Sequence, residues 1–273
     1  MSPGEDQKLT RKERRDQARA DRKAIEAQHN QMQARRKRLA QLGAAAIAAI
    51  VVIAVVVAVA GSGGTNHAAK AISKEGKTAV AEVDSLLTGI HQESNALGNP
   101  KAPVTLQYFG DLECPICREF TLGALPTLIS KYVRAGKLRI EYHSMETATR
   151  EPSIFREQQS AALAAGKQNL MWYYIELFYH QQGTEDSGYV TTTYLRERAE
   201  QARVNVAKWE EERHNPAFET TLEKDAEETG RRGFTGTPSF LLGKTGGELS
   251  VFSTVSLTEA GAFEAAINSL LKK

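Results

Sequence analysis

The sequence predicts an α/β fold in which a βαβ unit and a ββα unit are separated by an all-helical insert, carried behind a single transmembrane helix. Three observations predict it. Two short alternating stretches, VTLQYF (104–109) and LRIEYH (138–143), flank a helical segment. The residues from 146 to 232 then carry apolar side chains at helical spacing only. Finally, the nineteen residues LGAAAIAAIVVIAVVVAVA (42–60) hold neither a charge nor a strong hydrogen-bonding side chain.

That apolar run decides the organisation of the chain. At ~1.5 Å per residue it is long enough to cross the hydrocarbon of a bilayer. Ala58, Val59 and Ala60 form an A-x-A end, the mark of a cleaved signal peptide, but forty-one residues precede the run and it exceeds the usual ~7 to 15 residues of a signal core. An anchor is the expectation. Before residue 42 there are twelve Lys and Arg against six Asp and Glu, a charge of +6, which leaves −4 for the rest of a chain of net charge +2. Basic residues on the N-terminal side, with RRKR (35–38) close to the run, place residues 1–41 in the cytoplasm by the positive-inside rule. The expected location is the cell membrane, single-pass, with everything after Gly61 outside. The basic tail is rich in helix formers without an apolar stripe and reads as a solvated segment beside anionic lipid. No aromatic residues interleave its charges, so no nucleic-acid partner is expected. Residues 61–96, opening with GSGGTNHAAK, read as a linker, and an ordered domain is expected over 97–273.

Within that domain the alternation of VTLQYF predicts a strand. A helix through Phe120, Leu125, Leu128 and Ile129 to Val133 follows, with a kink at Pro126 and a stop at Gly136. LRIEYH predicts the second strand. Leu170, Tyr173, Leu177 and Phe178, then Leu195, Ala199 and Val204 to Trp209, recur at helical spacing, and Trp172 and Trp209 among them read as core. PSFLL (238–242) and ELSVF (248–252), joined by GKTGG, predict a hairpin. A final helix gathers Ala260, Phe263, Ile267, Leu270 and Leu271 on one face, with Ser256 and Glu259 as its capping box.

CPIC (114–117) holds both cysteines of the chain, at the turn from strand to helix. A disulfide across two intervening residues restrains the unfolded chain very little, so stapling explains it poorly. A redox pair explains it better. At a helix N-terminus, free N–H groups and the helix dipole favour a thiolate. Pro115 suits the first turn because its missing N–H has no partner there. Cys114 is therefore expected to be the exposed, attacking thiol and Cys117, one turn inward, the resolving one. A zinc site needs four ligands, whereas there is no second CxxC and the histidines (His29, His67, His91, His143, His180 and His214) are scattered. His143, at a strand end, reads as a surface or hydrogen-bonded histidine. The remaining alternative is an inert pair of thiols. No metal and no external cofactor are expected, the disulfide itself being the redox group.

FGDLECPICREF (109–120) and GFTGTPSF (233–240) together resemble the DsbA-like branch of the thioredoxin superfamily. The resemblance covers roughly Leu97 to Leu271 and implies a thioredoxin fold with an inserted helical subdomain. It implies a cis peptide at Pro238, beside Cys114, and a Thr237 backbone that receives a client peptide as a strand partner. An acidic residue precedes the CPxC motif in that family. Asp111 and Glu113 are accordingly candidates to oppose thiolate formation or to relay protons, or they are partly exposed turn residues. Strongly oxidising relatives can place His between the cysteines, where this chain has Ile116 after Pro115. The function implied is thiol–disulfide exchange with exported cysteine-containing proteins, most simply dithiol oxidation with reoxidation by a quinone-linked membrane partner. A reductase or isomerase supplied by a membrane electron donor, and an anchored binding or chaperone module on the same scaffold, are the alternatives.

Overall fold

The computed structural model describes residues 73–272. The basic tail, the apolar run 42–60 and the first part of the predicted linker lie outside them. Among the described residues no helix is long and apolar enough to cross a membrane.

The rest of the stretch read as linker is folded. Helix α1 (Lys74–Leu87) is capped by Ser73, whose side chain accepts the Gly76 N–H at 3.0 Å. Its buried residues, Gly76, Ala79, Val83 and Leu87, recur every three to four positions, and Val83 and Leu87 are fully enclosed. So narrow an apolar face on a polar segment resembles linker composition, yet burying two such side chains is worth ~3 kcal/mol or more. Strands β1 (Gln92–Glu93) and β2 (Ala96–Leu97) follow, and β2 pairs antiparallel with the Leu138–Ser144 strand. Among the described residues folded structure is thus already present from Lys74, ahead of the expected boundary at Leu97.

The two alternating stretches become β3 (Val104–Gly110) and β4 (Leu138–Ser144), parallel, with Val104 opposite Leu138 and Gly110 opposite Ser144. β3 is enclosed on both faces, whereas β4 alternates buried and half-buried positions, as its polar–apolar pattern requires. Between them run α2 (Pro115–Leu122), α3 (Ala124–Leu128) and a π-helical turn (Ile129–Val133). The break falls at Gly123 and not at Pro126. A Cβ on residue 123 would lie 2.5 Å from Thr258 Cα and 2.6 Å from the Glu119 carbonyl oxygen, so the close approach demands glycine. Pro126 sits in the first turn of α3, where its missing N–H breaks no helical bond.

The insert consists of α4 (Pro152–Gly166), α5 (Met171–His180), α6 (Thr192–Gln201), α7 (Val206–Glu212) and α8 (Ala217–Arg232). Residues 146–151, expected to be helical, are an irregular loop. Trp172 and Trp209 are fully buried, and the Trp209 indole N–H donates to the Ala161 carbonyl at 2.8 Å. The insert is tied to the sheet at Asp225 of α8, which accepts from Ser144 N at 2.8 Å and pairs with His143 Nδ1 at 2.7 Å. Burial opposes a charge on His143, but the Asp225 and Glu141 carboxylates outweigh it and raise the imidazole to about 9.

Gly233, in the left-handed region at φ 67°, ends α8 and turns the chain towards β5 (Ser239–Lys244), antiparallel to β3 and followed by its hairpin partner β6 (Ser250–Phe252). The strand order is β1-β2-β4-β3-β5-β6. Helix α9 (Gly261–Lys272) buries Phe263 and Ile267. Ser256 does accept the Glu259 N–H, at 3.2 Å, but this closes a turn ahead of the helix and is not its cap. Edge-to-face ring pairs join β3, α2, β5 and α9: Tyr108–Phe120 at 5.0 Å, Phe120–Phe240 at 4.8 Å and Phe240–Phe263 at 5.1 Å. Phe120, three residues after Cys117, thereby fixes α2 over the sheet.

Candidate active site

Cys114 is the N-cap of α2 and Pro115 its first residue. An N-cap side chain faces the unpaired N–H groups of the first turn, and the Cys114 sulfur accepts the Cys117 N–H at 3.4 Å. The same sulfur lies 3.5 Å from the Thr237 carbonyl oxygen, and the Thr237–Pro238 peptide is cis. The CPIC and GTP motifs, far apart in sequence, therefore meet at one atom. Both thiols are free. Cys114 retains 5% exposure and Cys117 none, so the expected exposed thiol is only narrowly open, with the Thr237 carbonyl against it. Pro115 and Ile116 are exposed beside it.

The two sulfurs are treated oppositely. Hydrogen bonding with Cys117 is the largest influence lowering the Cys114 thiol; burial opposes it, while Thr237 and the Cys117 and Ile116 N–H groups add to it, and the result is about 6. Burial pushes the Cys117 thiol well up, reinforced by Cys114 itself. At neutral pH the pair holds one thiolate and one thiol, with Cys114 the better leaving group.

Asp111 is fully buried, and its carboxylate accepts six hydrogen bonds. Four come from the backbone N–H groups of Glu113, Thr147, Ala148 and Thr149, at 2.9–3.1 Å, and the others from Thr149 Oγ1 and Gln158 Nε2. This is why residues 146–151 are not helical: their donors turn inward to the carboxylate. It also brings Thr147 Oγ1 to 2.6 Å from Thr237 Oγ1. Asp111 organises the backbone around the sulfur, and its hydrogen bonding gives no support to the proton-relay role considered for it. Glu113 is buried too, its carboxyl pushed up chiefly by burial, with Asp111 adding and Thr149 opposing. It faces Thr149 and Asp186 and acts electrostatically on Tyr189 and Tyr194 of the insert.

Other residues bear on the loop without any sequence motif to mark them. Tyr108 OH donates to Tyr179 OH at 3.0 Å, which donates to the Asp111 carbonyl at 3.1 Å. Arg118 Nε donates to the Tyr179 carbonyl at 3.0 Å. Gln182 Nε2 donates to the carbonyls of Leu112 at 2.7 Å and Cys114 at 3.1 Å. Tyr108 sits in the alternating strand and Arg118 in the stretch 109–120, but neither pattern marks these contacts, and Tyr179 and Gln182, in and just after the insert's apolar run, read as core or loop. Among the described residues no group of His, Cys, Asp and Glu is arranged to hold a metal.

A CxxC pair capping a helix, a cis X-Pro facing its first sulfur and a helical insert on this sheet define a thioredoxin-fold protein of the disulfide-exchange type. The chain belongs to the thioredoxin family, whose model matches residues 91–250. Curated relatives include the probable disulfide bond formation protein D of Bacillus anthracis, 24% identical over 157 residues that span 55% of this chain and 69% of the relative. The protein of the same description from Bacillus cereus is 22% identical over 151 residues, with the same coverage of 55% and 69%. Among solved structures, oxidised BdbD from Bacillus subtilis superposes with a TM-score of 0.57 at 19% identity, over 67% of this chain and 98% of that one. Wolbachia pipientis α-DsbA1 does so with a TM-score of 0.54 at 16% identity, over 70% and 96%. The structural likenesses establish a shared fold.

Proposed function

We propose that this chain is a thiol–disulfide oxidoreductase that oxidises dithiols in exported proteins, with Cys114 and Cys117 as its redox pair. The observation that carries the reading is the placement of the Cys114 sulfur on the N–H groups that open α2, directly below the Thr237 carbonyl. In the oxidised enzyme a client thiolate attacks Cys114, breaking the Cys114–Cys117 bond and releasing Cys117, which takes up a proton. A second client thiolate then attacks the client sulfur of the mixed disulfide and expels Cys114 as a thiolate. The client gains a disulfide and the enzyme gains two electrons. Thr237 and Pro238 border the path of the client chain, and exposed Pro115 and Ile116 present an apolar contact beside it. The curated relatives' description as disulfide bond formation proteins supports the direction.

The apolar run 42–60 is the proposed anchor, with residues 1–41 cytoplasmic, the catalytic unit outside and a quinone-linked membrane partner as the reoxidant. A Cys114 thiol at about 6 lies between the ~7 of thioredoxin and the ~3.5 of DsbA, so an oxidase of intermediate strength is expected. The same features, with neutral Ile116 between the cysteines, keep a reductase or isomerase as the second reading. Cys117→Ala is expected to accumulate mixed disulfides between Cys114 and exported proteins. A folded variant that traps none would leave an anchored binding module as the function. A reduction potential near ~−270 mV would reverse the direction to reductase.

A further inference from the structure

The chain at and just past the carboxyl end of α5 is fastened to the cysteine loop at three backbone carbonyls: Tyr179 to Asp111, and Gln182 to both Leu112 and Cys114. Gln182 is distinctive because a single NH₂ group spans the two carbonyls flanking Glu113. The Cys114 carbonyl is also the first helical acceptor of α2, taking the Arg118 N–H at 3.2 Å. Its peptide orientation therefore governs both the start of the helix and the direction of the Cys114 side chain.

Resting on the exchange activity proposed above, we infer that Gln182 is a positioning residue for that reaction, holding the Cys114 backbone so that its sulfur stays on the N–H groups at the head of α2. The physical reason is geometric and electrostatic together. The sulfur accepts the Cys117 N–H at 3.4 Å, and because such a bond weakens steeply with misalignment, a rotation of the Leu112–Cys114 backbone reduces it. The donor end of the Gln182 amide also places partial positive charge beside the residue that must carry the anion. The helical insert thus takes part in setting the thiolate.

The sign of the effect separates this role from a merely structural one. Gln182→Glu replaces the donor with an anion facing two carbonyl oxygens, Gln182→Ala removes the donor, and Gln182→Lys keeps a donor and adds positive charge. The Cys114 thiol is expected to rise most in Gln182→Glu, less in Gln182→Ala, and to stay at or below the wild-type value of about 6 in Gln182→Lys. A rise of the thiol from about 6 to 7 should lower the equilibrium constant for oxidation of glutathione at pH 7 by about fivefold, and a further unit by about twofold more. The test titrates thiolate absorbance and measures that equilibrium constant in the full chain for all three substitutions, with thermal unfolding alongside. Thiol and equilibrium constants unchanged in all three, or shifted in the order of their unfolding temperatures without regard to charge, would overturn the role. Wild-type protein that fails to exchange with glutathione at all would instead count against the proposed function.

Discussion

Two regions of this molecule enclose a carboxylate completely, and they handle it in opposite ways. In the cysteine loop, Asp111 meets six donors, four of them backbone N–H groups. In the middle of α5, Glu176 has no hydrogen-bond partner for either carboxylate oxygen. The nearest basic nitrogen, His180 Nδ1, lies 3.8 Å away and faces the Glu176 backbone carbonyl at 2.8 Å. Burial alone pushes the Glu176 carboxyl up to about 8. Both groups are out of water, so the supply of donors is what separates them. The loop offers N–H groups to a buried carboxylate, and beside it the head of α2 offers its own, that of Cys117, to the Cys114 sulfur; the middle of α5 offers none to Glu176.

Removing the donors' target should have the largest effect. Asp111→Ala leaves the N–H groups of Thr147, Ala148 and Thr149 without their acceptor and is expected to cost at least ~3 kcal/mol in denaturant unfolding. Exchange should fall with it, because Thr147 is no longer held against Thr237. A loss below ~1 kcal/mol would mean that the carboxylate is incidental to the loop.

The Glu176 side of the comparison is sharpened by pH. Its folded value is raised from 4.5 to about 8, so across that window the folded chain keeps a proton that the unfolded chain has released. Stability contributed at this site therefore declines as pH rises through the window. Glu176→Gln should match the wild type near pH 4 and then exceed it by a margin that grows, by up to ~1.4 kcal/mol per pH unit, as pH rises towards 8. Parallel pH–stability curves for the two proteins would show that Glu176 has found a partner.

A smaller effect is expected where the Asp111 loop touches the redox site. Thr147→Val removes one hydrogen bond to Thr237 Oγ1 from an exposed position, and should slow client exchange by ~fivefold or less while changing stability by under ~1 kcal/mol. An unchanged rate would confine the Asp111 loop to a role in stability.

The same contrast explains how much could be read before the fold was known. CPIC behind an alternating strand and ahead of a helix marked the cysteine pair by local spacing, and the family resemblance of GFTGTPSF pointed to the Thr237–Pro238 turn that meets it. The role of Asp111 was hidden: four of its six donors come from residues 36 to 38 positions later, and no periodicity links them. Glu176 lay inside a run, MWYYIELFYH, whose apolar neighbours enclose it on every side of the helix. The break at Gly123 depends on a loop more than a hundred residues away. Helix α1 was obscured because four small or aliphatic residues in fourteen carry its whole buried face.

The most direct test of the central claim, that the Cys117 thiol together with the N–H groups opening α2 makes Cys114 an anion at neutral pH, is titration of thiolate absorbance in the reduced full chain. One thiol is expected to ionise with a midpoint near 6 and to disappear from the curve in Cys114→Ser. A first midpoint at the ~8.5 of a free cysteine would contradict it.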